Sequence, residues 1–383
     1  MNKVIPFSNI LHGRFIRRLN RFAVECSLGG KIVQAHLPNP GRLWELLLPG
    51  AAISLVRNNR SPDRATAYTA VAVAREGVPV LLHTGMANAV VQYLIEENKI
   101  HGLENAQIIK REATFGRSRF DFLLRKDDIQ HVLEVKSCTL FGKYVAMFPD
   151  AVTERGRRHL LALSDLAETG MTCGVIFVVH YPHVRFFLPD YHTDFDFART
   201  FASLKEKLTY RAVSVAWTED LCLKDDVHEL EIPWRMLDKE ARDSGSYILI
   251  LRIPRDITIP VGSLGRIFFS GGHYMYVGSA KLNLTKRMER HLRKRKKYFW
   301  HIDYLRDHAE ACTAIPIRSN ASLEHEVASA LRRIANWSVP GFGSSDCSCE
   351  THLFAMQDNP LHTRGFTEVL QYFRMDRLGA ELR

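Results

Sequence analysis

Six short runs with apolar residues at alternate positions occupy residues 11 to about 90: "RFIRRL", "FAVECSL", "KIVQAHL", "AAISLV", "AYTAVAV" and "VPVLLHT". Gly and Pro punctuate them. A period of two marks a strand with one buried face, and such strands in close succession predict a small antiparallel barrel or sandwich. After Met86 the spacing turns helical in "ANAVVQYLIEEN". Strand-like runs then alternate with helical stretches: "RFDFLLR", "HVLEVKSC", a helix, "CGVIFVVHY", another helix and "VSVAW". That order predicts a mixed or parallel sheet. Asp150, after Pro149, is the predicted N-cap of the helix behind "HVLEVKSC". Val152, His159, Leu160, Leu163 and Leu166 fall near one face of this helix, with Glu154, Arg155, Arg158 and Asp165 around the other. The polar "PWRMLDKEARDSG", Pro233 to Gly245, reads as a linker. "SYILILRI" and "YMYVGSA" beyond it read as strands of a further domain.

One predicted strand carries charge where core residues belong. Glu134 and Lys136 are two apart and share a face, while Val135 points the other way. A buried charge is costly unless it is paired or binds a metal. The preceding strand brings Asp121. Two adjacent strands with one carboxylate each suit Mg²⁺ (or Mn²⁺), which takes one or two carboxylates together with water and substrate phosphate. Lys136 could hold the attacking water or offset charge on the phosphorane. This is the D…(E)xK logic of a metal-dependent nuclease, with Glu112 close enough upstream to be a further acid. A solvated edge strand with a Glu–Lys pair gives the same spacing.

Composition narrows the partners. The chain has 383 residues, 46% hydrophobic and 25% charged, enough for two or three ordinary globular domains. No run reaches the length of a membrane span and the N-terminus shows no signal-peptide pattern, so a cytoplasmic protein is expected. Seven scattered cysteines suit a reducing compartment. The formal charge of +10 points toward a polyanion. It is uneven: Gly245 to Arg383 holds 20 Lys and Arg against 13 Asp and Glu, a net of +7, which leaves +3 for the rest. Five positive charges form one run, Arg293, Lys294, Arg295, Lys296 and Lys297, followed by Tyr298, Phe299 and Trp300. In the barrel region "GRFIRRLNRF" sets Arg14, Arg17, Arg18 and Arg21 beside Phe15 and Phe22. Charge interleaved with rings suits single-stranded nucleic acid, DNA or RNA. A core Phe pair with a solvated Arg fringe is the alternative. "HLPNPGRL" reads as a loop, with Asn39 and Arg42 as candidates for substrate contact.

The stretches "HLPNPGRLWELLLPGA", "RFDFLL", "LEVKSCTL" and "MFPDAVTERGRRHLLAL" closely resemble the sugar fermentation stimulation protein A family, described as DNA/RNA nucleases, over about residues 11–233. The resemblance implies an OB-like barrel followed by a domain of the PD-(D/E)xK nuclease fold. It maps the motif acids onto Asp121 and Glu134 and the motif lysine onto Lys136. It also covers Asp150, Thr153, Glu154, Arg155 and His159. Arg155 and His159, spaced i, i+4, share a helix face and could touch phosphate or cap strand ends.

Beyond the linker, "GSYILIL", "YMYVGSA" and "LTKRMERHLRKRKK" resemble the GIY-YIG endonuclease superfamily over about Gly245–Phe354. The closer likeness is to uncharacterised archaeal and bacterial domains bearing "WHIDYL" and "GFGSSDCSCETHLF". The motif positions map onto Tyr247, Tyr276, Gly278, Arg287 and Glu324, with Glu326 competing for the last. The first motif is Gly-Ser-Tyr rather than Gly-Ile-Tyr, so a binding module that keeps the fold without cleaving stands beside a second nuclease centre. Cys347, Cys349 and His352 form C-x-C-x-x-H, a candidate Zn²⁺ site with His301 or Asp303 as candidates to complete it, or else a buried thiol pair. The expected architecture is therefore an α/β and α+β multidomain chain: an OB-like β-barrel at residues 1–90, a PD-(D/E)xK nuclease-like mixed sheet at 91–240 and a GIY-YIG-like α/β domain at 245–383. The expected activity is Mg²⁺-dependent nuclease; a non-cleaving DNA-binding regulatory protein is the alternative.

Overall fold

The computed structural model describes residue 4 and residues 7–58, 66–344, 347 and 349–382. The chain divides into two compact units. The first comprises Met1–Asp190, Asp196–Trp234 and Leu378–Arg383; the second comprises Tyr191–Phe195 and Arg235–Arg377.

The first unit opens with β1 (Ile10–Asn20), β2 (Ala23–Leu28), β3 (Lys31–His36), β4 (Ala52–Arg57), β5 (Tyr68–Arg75) and β6 (Val78–Leu81). Their order is β3-β2-β1-β4-β5-β6, and a parallel pairing of β3 with β5 closes the sheet into the expected barrel. The period-two reading holds in β1 up to Phe15, which is buried between exposed His12 and Arg14 on one side and a change of phase on the other, so that Arg17, two residues on, is exposed. Register breaks between Phe15 and Arg17 and between Arg18 and Asn20 interrupt its pairing with β2.

Next come α1 (Ala87–Glu96), β7 (Gln107–Phe115), β8 (Ser118–Lys126), β9 (Ile129–Cys138), β10 (Leu140–Phe141), β11 (Val145–Phe148), α2 (Glu154–Ala167), β12 (Thr172–Val179), β13 (Phe186–Pro189), α3 (Phe195–Ser203), β14 (Thr209–Trp217) and β15 (Leu223–Glu229). Six of these strands form a mixed sheet in the order β15-β14-β12-β9-β8-β7, with β9, β12 and β14 parallel. Strand β12, "TCGVIFVV", is apolar almost throughout because both its faces are covered. On one face Val90, Val91 and Leu94 of α1 share a core with Phe122, Leu133, Val135 and Ile176. On the other, Phe177 meets Phe148 and Phe187 at ring-centroid distances of 5.4 and 4.4 Å.

The start of α2 differs from expectation. Thr153, not Asp150, is its N-cap, and its hydroxyl accepts the Gly156 N–H at 3.0 Å. The Asp150 carboxylate instead accepts the Leu43 N–H at 2.7 Å, so its reach is long-range rather than local. Val152 precedes the helix and is exposed, while Leu160 and Leu163 are buried.

The stretch read as a linker contains a helix, α4 (Trp234–Glu240), and the division between the units falls inside it. Its polar composition conceals two buried apolar positions, Met236 and Leu237, and buried Glu240 is paired with Arg377. The second unit continues with β16 (Gly245–Ile253), β17 (Ile257–Pro260), β18 (Arg266–Phe269), β19 (Gly272–Ala280), α5 (Leu284–Leu292), α6 (His301–His308), β20 (Ala311–Arg318), α7 (Glu324–Ile334), β21 (Trp337–Ser338), β22 (Leu353–Met356) and α8 (Arg364–Arg374). Five strands form an antiparallel sheet, β20-β16-β19-β22-β21. Among the described residues no helix is long and apolar enough to cross a membrane. All seven cysteines are free.

Candidate active site

Strands β8 and β9 pair up to Phe122 opposite Leu133. One step further the ladder gives way to a side chain: Asp121 Oδ2 accepts the Val135 N–H at 2.7 Å, the bond a backbone carbonyl would otherwise take. Asn88 of α1 donates to the other oxygen of Asp121 at 2.7 Å. Glu134 is 4% exposed, and its Oε1 receives Lys136 Nζ and lies 2.6 Å from His159 Nδ1. His159 Nε2 accepts from Arg155 Nε at 3.5 Å, which leaves Nδ1 as the donor to Glu134. Thus α2 backs the second carboxylate, fixed at its start by the Thr153 cap.

The two acids are electrostatically unequal. Burial and the neighbouring Glu134 charge raise the Asp121 pKa, against the pull of its hydrogen bonds. Burial also pushes Glu134 upward, but His159 and Lys136 together more than offset it and hold the carboxyl below its ordinary range. One acid is therefore held as an anion while its neighbour resists ionisation, the signature of two carboxylates sharing one site.

Both acids and Lys136 line a cleft of about 540 Å³ with Ser137, Asp150 and Arg155. Ser137 rests on a partner invisible in the sequence. Its Oγ lies 3.1 Å from Nε2 of His180, whose Nδ1 accepts the indole N–H of Trp217 at 3.3 Å. An indole N–H can only donate, so neutral His180 carries its proton on Nε2 and donates to Ser137. The serine hydroxyl hydrogen is then free to donate into the cleft.

The other candidates in this unit separate. Glu112 is exposed, pairs with Arg119 at 3.5 Å and does not line the cleft. Arg18 is half-buried and donates to the carbonyls of Gly41, Arg42 and Arg21 at 2.6, 2.8 and 2.8 Å, so it braces the "HLPNPGRL" loop instead of facing phosphate. Arg17 pairs with Glu25 at 2.6 Å, and Arg14 donates to the Gly50 carbonyl at 3.2 Å. Arg42 donates to the Asp150 carbonyl at 2.9 Å and lies 4.8 Å from the Trp44 ring centroid. Asn39 lines the cleft, buried, and donates to Thr139 at 3.3 Å. Phe15 belongs to the core but Phe22 is 50% exposed beneath Arg21, so the two rings are not a core pair.

In the second unit Tyr247 and Gly278 are paired across β16 and β19. Tyr247 Oη lies 2.9 Å from His291 Nε2, and burial raises the tyrosine pKa. Tyr276 is buried beside Phe342. Arg287 stacks on Trp300 at 4.5 Å. Glu324 is half-buried, accepts the Ser279 hydroxyl and lies 3.1 Å from His352 Nδ1, whereas Glu326 is exposed. In the basic run Arg293, Lys294, Arg295 and Lys297 are exposed, but Lys296 is half-buried with its side chain enclosed 2.8 Å from Asp303. Asp303 also binds Arg290 at 2.9 Å and accepts the backbone N–H groups of Phe299 and Trp300; His291, Arg290, Lys296 and the Phe299 N–H together hold its pKa far down against burial. It is thus committed to the start of α6 and does not join the cysteines. Nor does His301, whose Nδ1 accepts the Gly343 N–H at 3.4 Å. The residue that meets Cys347, Cys349 and His352 is His325. Positions 345 and 346, which precede the cysteine motif, and position 348 within it lie outside the described residues.

A closed barrel joined to a mixed sheet, with two carboxylates and a lysine on adjacent strands opening into one cleft, defines the class of the first unit. Its parts match known domains: residues 16–82 the SfsA N-terminal OB domain, and residues 85–220 the sugar fermentation stimulation protein RE domain. The chain is 40% identical over 204 residues to a sugar fermentation stimulation protein homolog of Clostridium kluyveri, covering 53% of this chain and 88% of the relative. A homolog from Methanothermobacter thermautotrophicus is 40% identical over 190 residues, covering 50% and 79%. The chain belongs to the sugar fermentation stimulation protein family. It is also similar to the solved structure of Pyrococcus furiosus SfsA in complex with Ca²⁺, at 27% identity and a TM-score of 0.55, covering 61% of this chain and 99% of that one. Residues 246–375 match a domain of unknown function, DUF123.

Proposed function

We propose that the chain is a divalent-metal-dependent nuclease that hydrolyses phosphodiester bonds of DNA or RNA at a centre formed by Asp121, Glu134 and Lys136, on a sheet of the PD-(D/E)xK kind. The observation that carries this reading is the arrival of two carboxylates and a lysine, from adjacent strands, at one open cleft. The donor set fits a hard cation. Its ligand atoms are carboxylate oxygens, and the charge of Glu134 that disfavours ionised Asp121 is what a cation would neutralise. The Ca²⁺ held by the Pyrococcus furiosus relative belongs to the same oxygen-seeking class as Mg²⁺ and Mn²⁺. Bound between Asp121 and Glu134, such an ion would polarise the phosphate and acidify a water. The chain's own residues do the rest. His159 and Lys136 fix the Glu134 carboxylate. Lys136 supplies positive charge where the phosphate gains negative charge, and Ser137 offers a donor oriented by His180.

The test is cleavage of single- and double-stranded DNA and RNA by the full chain with Mg²⁺, Mn²⁺ or EDTA. Glu134→Gln and Asp121→Asn should abolish cleavage and leave binding near wild type, and Lys136→Ala should cost about 10²–10⁴ in rate. Wild-type turnover by all three would remove the proposed centre. Tight binding with no cutting under any condition would favour the regulatory reading. The set Tyr247, Tyr276, Arg287 and Glu324 is tested apart from this. If it too hydrolyses nucleic acid, Tyr276→Phe or Arg287→Ala will destroy a cleavage that survives Glu134→Gln. With no surviving cleavage, the second unit binds without cutting.

A further inference from the structure

His325, at the start of α7, and Cys347, Cys349 and His352, before β22, each offer a ligand atom, and these atoms all lie within 4.8 Å of one another. His325 Nδ1 is 3.1 Å from Cys349 Sγ, and Cys347 Sγ is 3.4 Å from His352 Nε2. Zinc bonds of about 2.1 Å to nitrogen and about 2.3 Å to sulfur, at tetrahedral angles, put neighbouring ligand atoms roughly 3.3–3.8 Å apart. Two separate thiol–imidazole hydrogen bonds would explain each close pair but not the convergence of all four atoms.

A second observation concerns the ring that is buried. His352 is 2% exposed and turns Nε2 toward Cys347, while its Nδ1 lies 3.1 Å from Glu324 Oε1, at ion-pair distance but not aligned as a hydrogen bond, so that only a small turn of the ring would complete it. A carboxylate on the far nitrogen of a metal-binding histidine sets its tautomer and orientation. Ser279 in turn fixes that carboxylate from β19. The arrangement has the metal-facing nitrogen, its orienting acid and the acid's own anchor in sequence.

We propose that the second unit contains a Cys₂His₂ zinc site formed by His325, Cys347, Cys349 and His352, with Glu324 orienting His352. Two thiolates and two imidazoles suit tetrahedral zinc, and four protein ligands make a closed, structural site with no position for substrate. The ion would clamp the segment before β22 onto α7. That segment also carries Gly343, whose backbone packs so closely against Tyr276 that a Cβ would lie 2.8 Å from its ring. Zinc would therefore hold in place the wall beside Tyr276. The site stands whether or not the chain cleaves nucleic acid.

The test uses the full-length protein purified without chelator. Metal analysis should find one zinc per chain, and Co²⁺ exchange should give the visible bands of tetrahedral cobalt with thiolate-to-metal charge transfer in the ultraviolet. The joint substitution Cys347→Ser and Cys349→Ser should remove both signals. Glu324→Gln should keep one metal but weaken its affinity, read by chelator competition, by about 10- to 100-fold. The wild-type measurements decide the matter even if a variant fails to fold. A wild-type protein without zinc after zinc loading and desalting overturns the site, as does cobalt binding without thiolate charge transfer. Unchanged affinity in His325→Ala overturns the four-ligand assignment.

Discussion

His180 shows how one buried side chain ties stability to pH. It is fully enclosed, and burial lowers its pKa from 6.5 to about 3. In the unfolded chain it binds a proton as pH falls below about 6.5; in the fold it does so only near pH 3. The unfolded state thus holds the extra proton across that window, and stability falls with decreasing pH by about 1.4 kcal/mol per unit. Above pH 7 the group contributes no slope. His180→Asn should therefore flatten the decline between pH 6 and 4 by one proton's worth, measured from denaturant midpoints at several pH values. A slope identical to wild type would show that His180 is protonated in the fold. His192, also lowered by burial, supplies a similar background slope from the second unit, so it is the difference between the slopes that counts. The same enclosure serves the cleft: a ring that stays neutral at working pH keeps its Nε2 proton on Ser137.

The strand pair β16–β19 and the helix α2 each rest on one small residue. At Gly278 a Cβ would lie 2.5 Å from Cζ of Tyr247 and would strike its hydroxyl. Gly278→Ala should swing the ring away from His291 and destabilise the second unit by about 1–3 kcal/mol by overpacking. In a Tyr247→Leu background the same change should cost much less, and an equal cost would show that the ring is not the obstacle. Thr153→Ala should cost about 1 kcal/mol through loss of the cap on Gly156. These elements also mark what a sequence can reveal. Glu134 and Lys136 were legible as neighbours because a strand fixes period two, and the runs of the barrel were legible for the same reason. Ser137 and His180 were not: they meet because β9 and β12 pair in parallel, with Ser137 opposite Val178, and no local spacing encodes that pairing. Asp150 follows a proline and reads as a cap, yet its partner Leu43 lies in the barrel. His325 escaped because it stands on a helix outside the cysteine motif.

Charge is the property that belongs to the chain as a whole, and the structure shows which part of it is available. Of the net +10, Gly245 to Arg383 carries +7, and the densest run there is Arg293 to Lys297. Four members, Arg293, Lys294, Arg295 and Lys297, are exposed, and Phe299 beside them is 78% exposed. Lys296 is different in kind, since its side chain is enclosed against Asp303 and belongs to the fold. If the exposed four contact phosphates, each releases counterions on binding, and log affinity falls linearly with log salt. Changing all four to Gln should reduce that slope by about 4 on duplex DNA, close to 1 per contact. Lys296→Gln should leave the slope almost unchanged and instead lower stability, because Asp303 loses a buried partner. Glu134→Gln should also leave the slope unchanged, since that carboxylate serves chemistry rather than backbone contact. The measurement is a titration of labelled DNA and RNA over a range of salt concentrations with the full-length variants. Unchanged affinity and slope in the fourfold variant would reduce the run to a solvated face and shift the burden of binding to the barrel, where Arg21 lines the cleft and lies over the exposed ring of Phe22.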